Sequence, residues 1–138
     1  MIGLDTNVFA RYYVEDKADR ESELQRDAAR RLIESGAPLA ACKTVLLELE
    51  WVIRGYYAFR PAKFSAAMRH LLSLKHVDIE DRTAIEAALS HYDAGLDFAD
   101  ALHHASYRRC EAVASFDDRK FARRAKRMGV SPSVVIPR

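Results

Sequence analysis

The chain has 138 residues, 49% hydrophobic and 30% charged, and a net charge of +2. That length suits one domain with a core of its own, and the composition is that of an ordinary globular protein rather than a disordered or fibrous one. No apolar run approaches the roughly 18 residues of a membrane span, and the segment from Met1 to Asp5 lacks the basic stretch and long apolar region of a secretory signal, so a cytoplasmic location without membrane contact is expected.

Two cysteines, Cys42 and Cys110, are too few for a disulfide framework and are expected as small buried hydrophobes. Zinc is not expected: His103-His104 is the only close histidine pair, and adjacent side chains diverge on a helix. The small net charge hides an asymmetry. Residues 1–107 carry 13 Lys/Arg against 17 Asp/Glu, whereas residues 108–138 carry 9 against 3. A basic end on a near-neutral chain points toward a polyanionic partner, although basic helix faces are commonly just solvated.

In chain order, Met1–Leu4 is a short apolar run ended by Asp5-Thr6-Asn7, which predicts a strand passing into a helix N-cap. A short helix is predicted over Val8–Val14. Another follows from Asp19 to Ser35, with Leu24, Ala28 and Leu32 as its stripe and Gly36 as its stop. Pro38–Cys42 is a second strand. From Thr44 to about Tyr57 the positions Val45, Leu49, Val52, Ile53 and Tyr56 form a helical stripe, weakened near its end by Gly55.

Pro61 suits the first turn of a helix reaching about Ser73. Val77–Ile79 is a third strand, and Asp81 is expected to cap a helix to about Tyr92, broken by Gly95. Asp97 caps a helix over Phe98–Arg109, Ala112–Ser115 is a fourth strand, Asp118–Met128 a basic helix and Val134–Ile136 a last strand. Strands alternating with helices of this length predict an α/β fold with a parallel sheet in a single domain over residues 1–138.

The informative acids are placed rather than numerous. Asp5 follows the first strand and Asp117 the fourth, the strand ends where ligands bind in open parallel sheets. Asp100 lies in the first turn of its helix, where the dipole tolerates a carboxylate. Glu48 neighbours Val45 and Val52 at i−3 and i+4 and so borders the expected buried stripe. Glu50 points about 200° away and has Arg54 at i+4, an ordinary surface pair. Several carboxylates at one sheet edge would raise one another's pKa values, a conflict that a hard divalent cation removes. Oxygen-only ligation suits Mg²⁺, with Mn²⁺ as a substitute, and the accompanying chemistry is phosphodiester hydrolysis. Read singly, each acid also has a plain structural role as a cap, a turn residue or an exposed helix position.

Four segments resemble the successive motifs of PIN-domain nucleases, above all the VapC-type toxins of bacterial toxin–antitoxin pairs. They are Leu4-Asp5-Thr6-Asn7-Val8, Val45-Leu46-Leu47-Glu48-Leu49-Glu50-Trp51-Val52, Gly95-Leu96-Asp97-Phe98-Ala99-Asp100-Ala101-Leu102-His103 and Ala114-Ser115-Phe116-Asp117. The resemblance runs from Ile2 to the last strand. It implies a three-layer α/β/α sandwich around a central parallel sheet of four to five strands, and Mg²⁺-dependent endoribonuclease activity on tRNA or rRNA. It also implies a homodimer neutralised by a small cognate antitoxin. Asp5, Glu48 and Asp100 match the three main acidic positions. Asp117 matches the fourth, in an element where the family has Thr and this chain has Ser115; Asp118 beside it competes for the role. Thr6, Asn7, Ser115 and Asp97 fall where side chains would support the acids or a metal-bound water.

The stretch from Arg119 to Arg127 holds six Lys/Arg, with Phe121, Ala125 and Met128 on its packed edge. Arg119 and Lys120, with Arg108, are the candidate RNA-phosphate contacts, and His103 and Arg109 are further possibilities. Tyr12, Tyr13, Trp51, Tyr56, Tyr57 and Phe59 are expected mostly in the core, any exposed remainder forming a dimer or antitoxin surface. Three other readings compete. A haloacid-dehalogenase-type phosphatase would want a second Asp where Asn7 stands; a DNA-directed or 5′-nuclease-like relative and a non-catalytic nucleic-acid-binding module are the other two.

Overall fold

Short apolar strands are interspersed with helices, and every strand pairing among the described residues is parallel. The structure is a computed structural model; it describes residues 1–16 and 19–138. The chain divides into two compact units, Met1–Asp81 and Arg82–Arg138.

In the first unit, strands β1 (Ile2–Gly3), β2 (Leu39–Ala41) and β3 (Val77–Ile79) form a sheet in that order. Leu39 pairs with Val77 and Ala41 with Ile79; all four are buried, while Asp78 between them is exposed. This is the alternation expected of a strand with one face turned inward. The helices are α1 (Thr6–Tyr13), α2 (Arg20–Ile33), α3 (Lys43–Trp51) and α4 (Pro61–Ser73). Asp5 caps α1 and Asp19 caps α2 through side-chain bonds to the first-turn amides, and Pro61 opens α4 as the sequence predicts. Phe9, Ile33, Leu46, Leu49, Ile53, Phe64, Met68 and Leu71 are essentially inaccessible.

The second unit contains α5 (Arg82–Asp93), α6 (Phe98–Ser106), β4 (Ala112–Ala114), α7 (Arg123–Met128) and β5 (Ser133–Val135), with β4 and β5 paired. Helix α5 buries Ala84, Ile85, Ala88, Leu89 and Tyr92, a stripe of helical period. It packs on α6, whose Phe98, Ala101, Leu102 and Ala105 are buried. Truncating Phe98, fully buried, to Ala would cost about 3–5 kcal/mol. Gly95, at φ 108°, takes the left-handed turn that ends α5, a conformation that any Cβ would strain. No helix among the described residues is long and apolar enough to cross a membrane.

Several expectations are corrected. Helix α2 buries Ser22, Ala29 and Ile33, not the predicted Leu24, Ala28 and Leu32; Leu24 and Ala28 are exposed and Leu32 is only half-covered. Helix α3 buries Leu49 and, beyond it, Ile53 as the stripe predicts, but adds Leu46 and leaves Val45 and Val52 half-covered and Tyr56 exposed. The predicted helix to Tyr57 passes into a π-helical turn over Val52–Tyr56, and the basic helix likewise begins as a π-helical turn over Asp118–Ala122. Asp81, just before α5, lies at φ 48°, and its carboxylate also reaches Lys43 Nζ at 3.1 Å. Both Cys42 and Cys110 are exposed, not buried. None of Tyr12, Tyr13, Trp51, Tyr56, Tyr57 and Phe59 is buried. The cause is common to these residues: side-chain size and apolarity do not say which face of an element the rest of the fold covers.

Candidate functional site

The first unit joins two of the predicted acids through one threonine. Asp5 Oδ1 accepts the Thr6 backbone N–H at 2.8 Å, which fixes the carboxylate at the start of α1. Thr6 is itself buried, and its hydroxyl donates to Glu48 Oε1 on α3. Thr6 therefore holds both acids, the backbone one and the hydroxyl the other. Asp5 and Glu48 themselves are exposed, so their carboxylates stay open to a ligand. Both, with Asn7, line an open cavity of about 560 Å³.

The comparison of Glu48 with Glu50 turns out differently from the expected burial. Glu48 is exposed, whereas Glu50 is 7% exposed and bound to Arg54 Nε at 2.6 Å. The expected Glu50–Arg54 pair exists, but its acid is buried rather than on the surface. The two glutamates still point different ways, and Glu48 is the one facing the cavity.

In the second unit, Asp97 caps α6 by accepting the Asp100 backbone N–H at 3.3 Å. Asp100 is half-buried. Its carboxyl is pushed above the usual carboxylate range, first by burial and then by the negative charges of Asp97 and Asp117; His103 and Arg124 oppose the shift. Asp117, rather than Asp118, is the neighbouring acid of the doubled pair whose charge Asp100 feels. Ser115 Oγ accepts the Asp117 N–H at 3.0 Å, and Asp117 Oδ1 accepts the Lys120 N–H at 3.0 Å, so the loop after β4 is pinned from both sides. Arg119 and Lys120 are exposed, and Arg108 is exposed with a bond from Nη1 to Ala105 O. Arg124 is a residue the sequence places only within a basic run. It is half-buried, donates to Gly95 O at 3.2 Å and lies close enough to Asp100 to favour its ionised form. Nothing in the sequence separates it from the five other Lys/Arg of that run.

Each unit thus holds a pair of the expected acids: Asp5 with Glu48, and Asp100 with Asp117. No group of three or more His, Cys, Asp or Glu among the described residues is arranged as a metal cage. The donor chemistry fits a hard divalent cation nonetheless. The donors are carboxylate oxygens, and Asp100 carries a like-charge conflict that a cation would relieve. Mg²⁺ is commonly held by one or two carboxylates with waters and substrate phosphates completing the shell, so a protein cage is not required.

A family model for the PIN domain matches residues 2–127. The chain belongs to the PIN domain family. The match spans both units. PIN domains are usually nucleases and typically use divalent metal ions. Among the described residues, seven helices and parallel strands are consistent with the three-layer α/β/α architecture of the family. Comparison with curated proteins finds no match.

Proposed function

We propose that this PIN domain is a Mg²⁺-dependent endoribonuclease and the toxin of a toxin–antitoxin pair, with Asp5, Glu48, Asp100 and Asp117 as the acids its reaction depends on. The observation that carries the reading is the half-buried Asp100 carboxyl set among Asp97 and Asp117, a concentration of negative charge that a bound cation would balance. A divalent cation supplies activation of water and charge stabilisation in phosphodiester hydrolysis. The residues do the remainder. Thr6 orients Asp5 and Glu48, Ser115 and Lys120 hold the Asp117 loop, and Arg119, Lys120 and Arg108 offer exposed cations to RNA phosphates.

The toxin assignment rests on the resemblance of the four motifs to VapC-type proteins. The unburied Tyr12, Tyr13 and Phe59 of the first unit support an interface, with a second copy of the chain and with a small antitoxin. A cytoplasmic location goes with that role. The test is incubation of labelled RNA and DNA with the protein in Mg²⁺, in Mn²⁺ and in EDTA. RNA cut internally in Mg²⁺ or Mn²⁺ and intact in EDTA is expected. Preferential DNA cleavage would move the protein to the DNA-directed branch, and tight RNA binding without cleavage would make it a binding module. Growth arrest on expression, relieved by the product of an adjacent small reading frame, tests the toxin role.

A further inference from the structure

We propose that Trp51, with Tyr56 beside it, is a stacking platform for an unpaired base of the nucleic acid whose phosphate is bound beside Asp5 and Glu48. The inference deepens the nuclease reading and rests on it.

Trp51 is 64% exposed and Tyr56 71% exposed. Large aromatic faces left in water at neighbouring positions mark a contact surface more often than scattered exposure does. Their exposure has a structural cause. Helix α3 ends at Trp51, and the π-helical turn Val52–Tyr56 follows, keeping Ile53 buried while Trp51 and Tyr56 face outward. Such turns occur frequently at functional sites.

Trp51 is also held in place. A Cβ built on Gly55 would meet the indole Nε1 at 3.3 Å and Cε2 at 3.4 Å, so the indole rests close against Gly55, in a fit that any larger residue would tighten. One side of the ring system is supported and the residue remains largely exposed. Tyr57, whose ring meets that of Tyr56 edge-on at 4.9 Å, accepts a hydrogen bond from Arg11 Nη1 at 3.2 Å. An aromatic held in this way loses little freedom when a ligand stacks on it.

The position relative to the acids sets the ligand class. Trp51 lies three residues after Glu48, on the same side of α3, and Asp5, Glu48, Trp51, Tyr56 and Tyr57 line one cavity. Among the described residues, the charged lining of that cavity is mainly acidic: Asp5, Asp16, Asp19 and Glu48 against Arg11. Phosphate is repelled there unless a cation sits on the acids, so the aromatic wall suits the uncharged planar part of the ligand. A nucleobase joined to a cation-bound phosphate satisfies both halves, and stacking accepts any base because every base has a π-face.

The chain contains a single tryptophan, so its emission reports on this position directly. The experiment uses the full-length Asp100→Asn variant, to suppress cleavage, in Mg²⁺ with a fluorescein-labelled single-stranded hexaribonucleotide. Anisotropy reads binding and tryptophan emission reads stacking; inorganic polyphosphate is the base-free polyanion. RNA is expected to quench the emission and polyphosphate to leave it unchanged. Trp51→Ala and Tyr56→Ala, each added to that variant, are expected to weaken RNA binding roughly tenfold, and Trp51→Phe to retain most of it. RNA that binds without quenching, RNA that does not bind, or unchanged affinity in Trp51→Ala overturns the proposal. Quenching by a Lys/Arg-rich decapeptide but not by RNA overturns it in favour of a basic protein segment as occupant. Cleavage by the wild-type chain is measured in parallel, so an inactive enzyme that still shows RNA quenching refutes the nuclease reading alone.

Discussion

Replacing Thr6 by Val removes one hydroxyl and changes almost nothing in shape. That hydroxyl is buried and donates to Glu48, while the backbone N–H of the same residue, which Val retains, holds Asp5. A hydrogen bond to a charged group contributes roughly 1.5–3 kcal/mol. Glu48 is exposed and water can replace the lost donor, so the expected loss of stability is about 1 kcal/mol. For a chain of this length that lowers Tm by about 3–5 °C. The functional loss is expected to be larger than the thermodynamic one. Glu48 loses its orienting partner, and loss of such partners of metal-binding groups costs roughly 10–100-fold. Urea denaturation and initial rates of RNA cleavage at saturating Mg²⁺ measure the two effects on the same preparations. Thr6→Ser, which keeps the hydroxyl, is expected to recover most of the activity. Full activity in Thr6→Val, or Thr6→Ser no better than Thr6→Val, would refute the reasoning.

Three further outcomes follow from the same geometry. Because burial and then Asp97 and Asp117 raise the Asp100 pKa above 3.8, its stabilising contribution is present below that pH and is lost as pH rises and the group ionises. Asp100→Asn is therefore expected to stabilise the metal-free protein at neutral pH, with the gain vanishing below pH 3.8, as read by urea denaturation in EDTA. Burial, and then His104, lowers the His91 pKa from 6.5, and neither His91 nor His104 has a hydrogen-bond partner for Nδ1 among the described residues. Stability due to neutral His91 is complete above pH 6.5 and is lost as pH falls, so Tm should decline on the acid side and His91→Gln should flatten that decline. Finally, Cys42 and Cys110 are both exposed and should react with a thiol-specific disulfide reagent without denaturant. Cys42 should react faster, because hydrogen bonds from the Thr44 hydroxyl and the Val45 N–H lower its pKa.

What the sequence revealed, and what it hid, divides along physical lines. Caps and stops depend on adjacent residues, so Asp5, Asp97, Pro61 and Gly95 could be read directly. The strands could be read because each is a short apolar run between turn residues. Burial faces were harder to read. Helix α2 presents Leu24 to solvent and buries Ser22, because the covering surface is set by distant segments that its own periodicity does not encode. The π-helical turns at Val52–Tyr56 and Asp118–Ala122 depart from the 3.6-residue period on which such stripes are counted. That is why Tyr56 fits by count a stripe that it does not join in space. Helix geometry separates Glu48 from Glu50 but does not reveal the burial of Glu50 beside an exposed Arg54, since an i,i+4 pair looks the same in sequence whether covered or exposed. Arg124 was likewise hidden in a run of six similar charges; only its closeness to Asp100 singles it out.

The central claim is that the placed carboxylates bind a metal on which RNA hydrolysis depends. The most direct test is cleavage of a labelled RNA by wild type, Asp5→Ala and Asp100→Ala, each with Mg²⁺ and with EDTA. Mg²⁺-dependent cleavage by wild type and a loss of roughly a hundredfold or more in each variant are expected, since removing a proposed ligand should cost at least as much as removing its supporting partner. Cleavage that persists in EDTA, or full activity in both variants, would contradict the claim.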